Sequence, residues 1–220
     1  MAFIGKKPTD APLTSSDVAD GIITNAKLAQ DIISGDTALA VAPADTDEFL
    51  VSDAGVLKRM DYSYIKGGIT EADQWRLNSD LDGDQDPIAS NLERVDTDGF
   101  SVLGTGMSQS SGIFTFPSTG YWDIRATFQF SSGATDNQKT GYIATTTDNS
   151  SYSDASHCVA NFYASGTLAS VNTNFIFDCT NTSTHKVRFR VATTGGSGNT
   201  LGSDTDRSMT FFTFIKLANT

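Results

Sequence analysis

The 220-residue chain has only two cysteines, Cys158 and Cys179, too few for a disulfide framework of the kind that staples small secreted domains. We read both as small buried hydrophobes in preference to a bridged pair. No run of about 18 apolar residues occurs, so neither a transmembrane helix nor membrane insertion is expected. The segment MAFIGKKPTDAP has two lysines, but no apolar stretch follows them, so a secretory signal peptide is not expected. Histidine is confined to His157 and His185, and neither stands in a recognisable Ser, His and Asp order. Cys158 directly follows His157, and neighbours in a strand point to opposite faces, which defeats a Cys–His couple. Glu48, Glu71 and Glu93 have no aromatic-rich groove sequence around them, as paired carboxylates for glycoside hydrolysis would require. TTGGSGNTLGSD, residues 193–204, lacks the lysine of a phosphate-binding loop and reads as a mobile loop between strands. These absences argue against an enzyme.

Basic charge is also scarce. Residues 1–110 carry 19 Asp and Glu against 8 Lys and Arg, a balance of −11, whereas residues 111–220 carry 7 of each. An acidic half repels phosphate backbones and the neutral half offers no basic patch, so no nucleic-acid partner is expected.

What the sequence does have is Gly, Ser, Thr, Asn and Asp, with β-branched and aromatic residues in short runs, a pattern of strands and turns. Residues 1–12, with Pro8 and Pro12, read as an arm ordered on a partner. Residues 13–35 space Val18, Ile22, Leu28 and Ile32 widely, and Ser15, Ser16, Asp17 and Asn25 could cap two short helices. Helices of that length need packing, most cheaply on copies of themselves. Residues 47–65 read as a hairpin about Asp53-Ala54-Gly55, itself in need of neighbours. Gly67-Gly68 then reads as a hinge.

Strand patterns recur from residue 69 onward: 74–77, 88–95, 99–104, 112–130, 139–146, 157–164, 171–179, 185–192 and 209–217. In HKVRFRVA, Val187, Phe189 and Val191 alternate with Lys186, Arg188 and Arg190. In GIFTFPSTGYWDIRATFQF, Trp122, Ile124, Phe128 and Phe130 share one face, and Phe114 and Phe116 should close the same core. The fold class is all-β, a β-sandwich or jelly roll. The stem before it cannot bury a core by itself, which favours a homo-oligomer.

Two clusters are candidate sites. Asp80, Asp82, Asp84 and Asp86 occupy every second position of SDLDGDQDP, and converging carboxylates are what Ca²⁺ needs. An EF-hand loop from Asp80 would place Gly at 85 and Glu at 91, where Gln85 and Asn91 stand. A solvated acidic loop is therefore preferred to calcium, and no other cofactor is expected. TTTDNSSYSDASH, residues 145–157, has the Tyr, Ser and Asn content of adaptable contact loops, with Asp148, Asn149, Tyr152 and His157 as candidate receptor contacts.

The segment 112–130 resembles the signature of complement C1q-like domains, F-x-x-P-x-x-G-x-Y/W-x-I/F, on Phe114, Pro117, Gly120, Trp122 and Ile124. That family resembles tumour necrosis factor in fold, so the resemblance implies a jelly roll assembled as a trimer. ITEADQWRL, NLERVDTDGFSVLGTGMSQSSGIFTF and the two stem segments are similar to fibre proteins of marine tailed phages, cyanophages among them. SMTFFTFIKLANT departs from the usual C1q-like ending. The resemblance implies a homotrimeric fibre on the virion surface, with a docking arm at 1–12 (Phe3, Ile4, Lys6, Lys7 and Pro8), a stem at 13–68 and a knob at 69–220. Its expected partners are phage tail or capsid proteins through the N-terminus and a host cell-surface glycan or protein through the knob. The alternatives are a capsid decoration fibre with a structural role only, and a carbohydrate-binding or glycan-degrading surface protein.

Overall fold

The computed structural model describes residues 19, 37–65, 67–133, 135, 137–194 and 199–220. The arm, and the two short helices expected within 13–35, lie outside the described residues. Backbone packing divides the chain into two units, Met1–Lys66 and Gly67–Thr220.

The described part of the first unit is the expected hairpin, β1 (Glu48–Asp53) and β2 (Val56–Asp61). Ala54 and Gly55 link them with φ of 49° and 86°, the two left-handed residues of a type I′ turn, whose twist matches that of the strands. Directly opposed residues share a face, so Phe49, Met60, Val51 and Val56 lie on one side and Leu50 and Leu57 on the other. Leu50, Leu57 and Val56 stay 75%, 68% and 59% exposed. The ion pairs Lys58–Asp53 and Arg59–Glu48 are exposed and contribute about 0–1 kcal/mol each. Nothing described in this unit supplies the packing a two-stranded ribbon needs.

The second unit is a sandwich of two antiparallel sheets. Its strands are β3 (Ala72–Leu77), β4 (Leu81–Asp82), β5 (Leu92–Arg94), β6 (Ser108–Ser110), β7 (Ile113–Thr115), β8 (Gly120–Ser132), β9 (Asn137–Thr146), β10 (Ser153–Phe162), β11 (Leu168–Cys179), β12 (Lys186–Thr194), β13 (Asn199–Leu201) and β14 (Phe211–Ala218). One sheet runs β10-β9-β12-β7-β6, and the other β4-β13-β8-β14-β3-β5 with β11 on the opposite edge of β8. Trp122, Ile124, Ala126, Phe128 and Phe130 of β8 are all at most 2% exposed, because the period of two turns every even residue inward. Phe189 stacks on Phe212 at 3.7 Å and 7°, joining the sheets across the core. Phe114 meets Trp75, Phe189 and Phe214 at 5.6, 5.5 and 5.2 Å. Gly141 lies under Phe128, where a Cβ would come within 2.3 Å of the ring, so the ring occupies space that only glycine leaves.

A buried polar network ties the start of this unit together. The Asp73 carboxylate accepts from Trp75 Nε1 (2.9 Å), Arg94 Nε (3.0 Å) and the Met107 amide (2.8 Å). Arg76, 1% exposed, donates to Glu93, Thr97 and Asp96. Several sequence expectations need adjustment here. Of 88–95 only β5 is strand, and 99–104 forms no strand but a single bridge between Leu103 and Ala72. Asn91, Asp98, Gly99 and Gly104 all take positive φ, which breaks any extended run. The glycine-rich 193–204 segment contains β13. Ser111 and Gly112, at φ 49° and 78°, form a second I′ hairpin between β6 and β7 that the sequence reading passed over.

Candidate functional site

The two cysteines are free, Cys179 buried and Cys158 half-buried. Burial pushes the Cys158 thiol up to about 11, which lowers its thiolate fraction at pH 8 roughly a hundredfold relative to a model thiol. Alkylation at pH 8 followed by mass spectrometry should therefore leave both thiols largely unmodified until denaturant is added. Labelling of native Cys158 at the rate of the unfolded chain would contradict this.

Of the four alternating aspartates, Asp84 is exposed, and Asp80, Asp82 and Asp86 are each engaged with a different partner. Asp80 accepts from the Ser203 amide (2.8 Å) and hydroxyl (2.7 Å). Asp82 accepts from Thr200 Oγ1 at 2.7 Å, and Asp86 pairs with Arg188 Nη2 at 3.1 Å. Among the described residues, no group of three or more His, Cys, Asp or Glu side chains is arranged to hold a metal ion. The docking residues Phe3, Ile4, Lys6, Lys7 and Pro8 lie outside the described residues.

Asp148, Asn149 and Tyr152 lie in the β9–β10 connection, whereas His157 lies within β10, opposite Tyr142. Asp148 Oδ1 accepts from the amides of Ser150 and Ser151 (both 2.8 Å) and from Thr146 Oγ1 (2.7 Å). The Ser151 amide, the Thr146 hydroxyl and the Ser150 amide hold this carboxyl well below the usual range, so the turn keeps its acceptor across the physiological range. Asn149 takes φ 58°. Tyr152 packs beneath Arg188, whose Cζ stands 4.3 Å from the ring centroid. Arg190 Cζ stands 3.6 Å over Tyr142, and Arg190 forks onto Asp154, with Nε to Oδ1 at 2.8 Å and Nη2 to Oδ2. His157 tilts against Tyr142 at 5.8 Å. The sequence reading missed Arg190, Tyr142 and Asp154. Arg190 and Tyr142 were legible as outward partners on neighbouring strands, but only once the register Arg190↔Tyr142↔His157 was known.

The second feature is a shallow groove of about 470 Å³ on the outward face of the other sheet, lined by Arg125, Thr127, Asn172, Asn174, Phe211 and Thr213. On the same face Asp123 Oδ1 and Asp178 Oδ1 are buried without a hydrogen-bond partner among the described residues, while Ile176 and Tyr121 are 57% and 42% exposed. His185 bonds Thr180 and Thr184, and the Cys158 thiol donates to the Gly141 carbonyl.

No protein-family model matches this chain, and no curated protein is similar to it in sequence. Among solved structures, Eiger TNF from S. frugiperda is 13% identical, with a TM-score of 0.52 over 68% of this chain and 93% of that one. Murine APRIL is 11% identical, with a TM-score of 0.49 over 67% of this chain and 98% of that one. At such identities the likeness concerns architecture, and it agrees with the two antiparallel sheets: the second unit is a TNF-like jelly roll.

Proposed function

We propose that the chain is a homotrimeric fibre of a tailed-phage virion, whose first unit anchors to the particle and whose jelly roll contacts the host surface. Its mechanism is binding, with no covalent step. The observation that carries this reading is the β1–β2 hairpin, which bares apolar side chains on both faces; a two-stranded ribbon needs such faces covered, and copies of itself are the cheapest cover. The unpartnered Asp123 and Asp178 oxygens beside exposed Ile176 support the same reading, since a neighbouring copy supplies donors and apolar contact. Three knobs per fibre convert weak contacts into avid attachment by raising effective concentration.

Sedimentation of the full chain should give three copies. Leu50→Glu with Leu57→Glu should shift the distribution to smaller species, because two carboxylates cannot be left buried in an apolar contact. A monomeric parent chain would overturn the proposal. Labelling residues 1–12 on intact particles places the fibre on tail or head, and so separates host adsorption from capsid decoration.

A further inference from the structure

The outer face of the β10-β9-β12 sheet carries two arginines with different surroundings. Arg188 is spent on latching loops to the sheet: Tyr152 lies under its guanidinium and Asp86 pairs with its Nη2. Beneath this latch, Ala144 and Thr146 of β9 are closed to solvent, 1% and 3% exposed. Arg190, two residues further along β12, has different partners. It holds Asp154 in a two-point fork, and the Asp154 side chain remains 40% exposed. Its guanidinium covers Tyr142, and the exposed His157 ring stands beside that tyrosine.

We infer that Tyr142, His157, Asp154 and Arg190 form a binding site for an uncharged, hydroxyl-rich sugar, a deepening that rests on the receptor-contact role proposed above. Three features select that ligand. The exposed imidazole beside Tyr142 offers a flat π-surface to the apolar C–H face of a pyranose. The Asp154 carboxylate has lone pairs beyond the two that Arg190 takes, fixed in direction by the fork, and these accept from vicinal hydroxyls. The Arg190 charge is already matched by Asp154, so the site has no surplus cation to favour a phosphate or carboxylate. Preorganisation by the fork and the stacked rings reduces the ordering cost of binding a small ligand.

Saturation-transfer NMR on the full chain tests this, with methyl glycosides of glucose, galactose, mannose, fucose and N-acetylglucosamine as probes. Inorganic phosphate and a methyl sialoside form the anionic arm. At least one neutral glycoside should give signals in the parent chain. His157→Ala should weaken them roughly five- to tenfold, the loss of one aromatic contact, and Asp154→Asn should do likewise. Arg125→Ala, in the groove of the other sheet, should leave them unchanged. His157 is exposed, so its variant tests the contact without touching the core. No signal from any neutral glycoside, signals surviving both His157→Ala and Asp154→Asn, loss only with Arg125→Ala, or binding of the anionic probes alone would each overturn the inference. The fibre reading fails separately, on the sedimentation and particle-labelling results.

Discussion

Asp73→Ala should lower the unfolding free energy by about 2–4 kcal/mol, the cost of leaving an indole and a backbone amide without their buried acceptor. The side chain is buried and accepts from an indole, a guanidinium and a backbone amide drawn from β3, β5 and the stretch before β6. Alanine leaves the Trp75 indole and the Met107 amide without their acceptor, while the Arg94 side chain, 37% exposed, keeps access to water. Each unsatisfied donor then keeps its full desolvation penalty, which exceeds what a made hydrogen bond contributes. Asp73→Asn should not rescue the fold, because its amide turns two donors toward Arg94. Removing Arg94 as well, in Asp73→Ala with Arg94→Met, should recover part of the loss, since a deleted pair costs less than a broken one. Urea unfolding reads all three: the midpoint should fall with little change in slope. A loss under about 1 kcal/mol for Asp73→Ala would show that water reaches these groups.

Gly112→Ala should be the most damaging single-methyl addition in the jelly roll. The residue has φ 78°, and a Cβ there would stand 2.1 Å from the Ile88 carbonyl oxygen and 2.8 Å from its carbon. Two costs add: about 1–2 kcal/mol for a side chain in the left-handed region and about 1–3 kcal/mol for overpacking against backbone that cannot rotate away. Gly83→Ala separates them. Gly83 has nearly the same φ, 75°, with nothing within 4 Å of its Cβ position, so it should show only the first cost. Equal midpoints for the two variants in thermal unfolding would mean that the Ile88 backbone yields freely.

Gly112 also marks where the sequence was readable and where it was not. The even face of β8 was plain, because alternation over a long strand has one interpretation once a face is buried. Ala54-Gly55 stood out as a turn between two apolar runs. Ser111-Gly112 did not, because Ser108, Gln109 and Ser110 give β6 no apolar face of its own. It is held by β7 and by the Ile88 segment, both distant from a local pattern. Leu103 misled in the opposite direction, since an apolar residue among positive-φ glycines is no strand. At the candidate site, Asp148, Asn149, Tyr152 and His157 were legible as one loop from composition. Asp148 proves to be spent on its own turn, whereas Arg190 and Asp154, which give the site its fixed geometry, depend on register across β9, β10 and β12.

The position of β14 has a consequence for how the chain is made. This strand, Phe211–Ala218, lies between β3 and β8 and pairs with both, so the last strand in sequence is an interior strand of its sheet. A ribosome delivering the chain from its N-terminus therefore exposes β3 and β8 as open edges for the whole time that residues 133–210 are being synthesised. Neither edge can close on its proper neighbour until residues 211–218 clear the exit tunnel. The jelly roll completes its core only when that strand arrives, and premature pairing of those two edges with other nascent chains before then is the hazard built into this order.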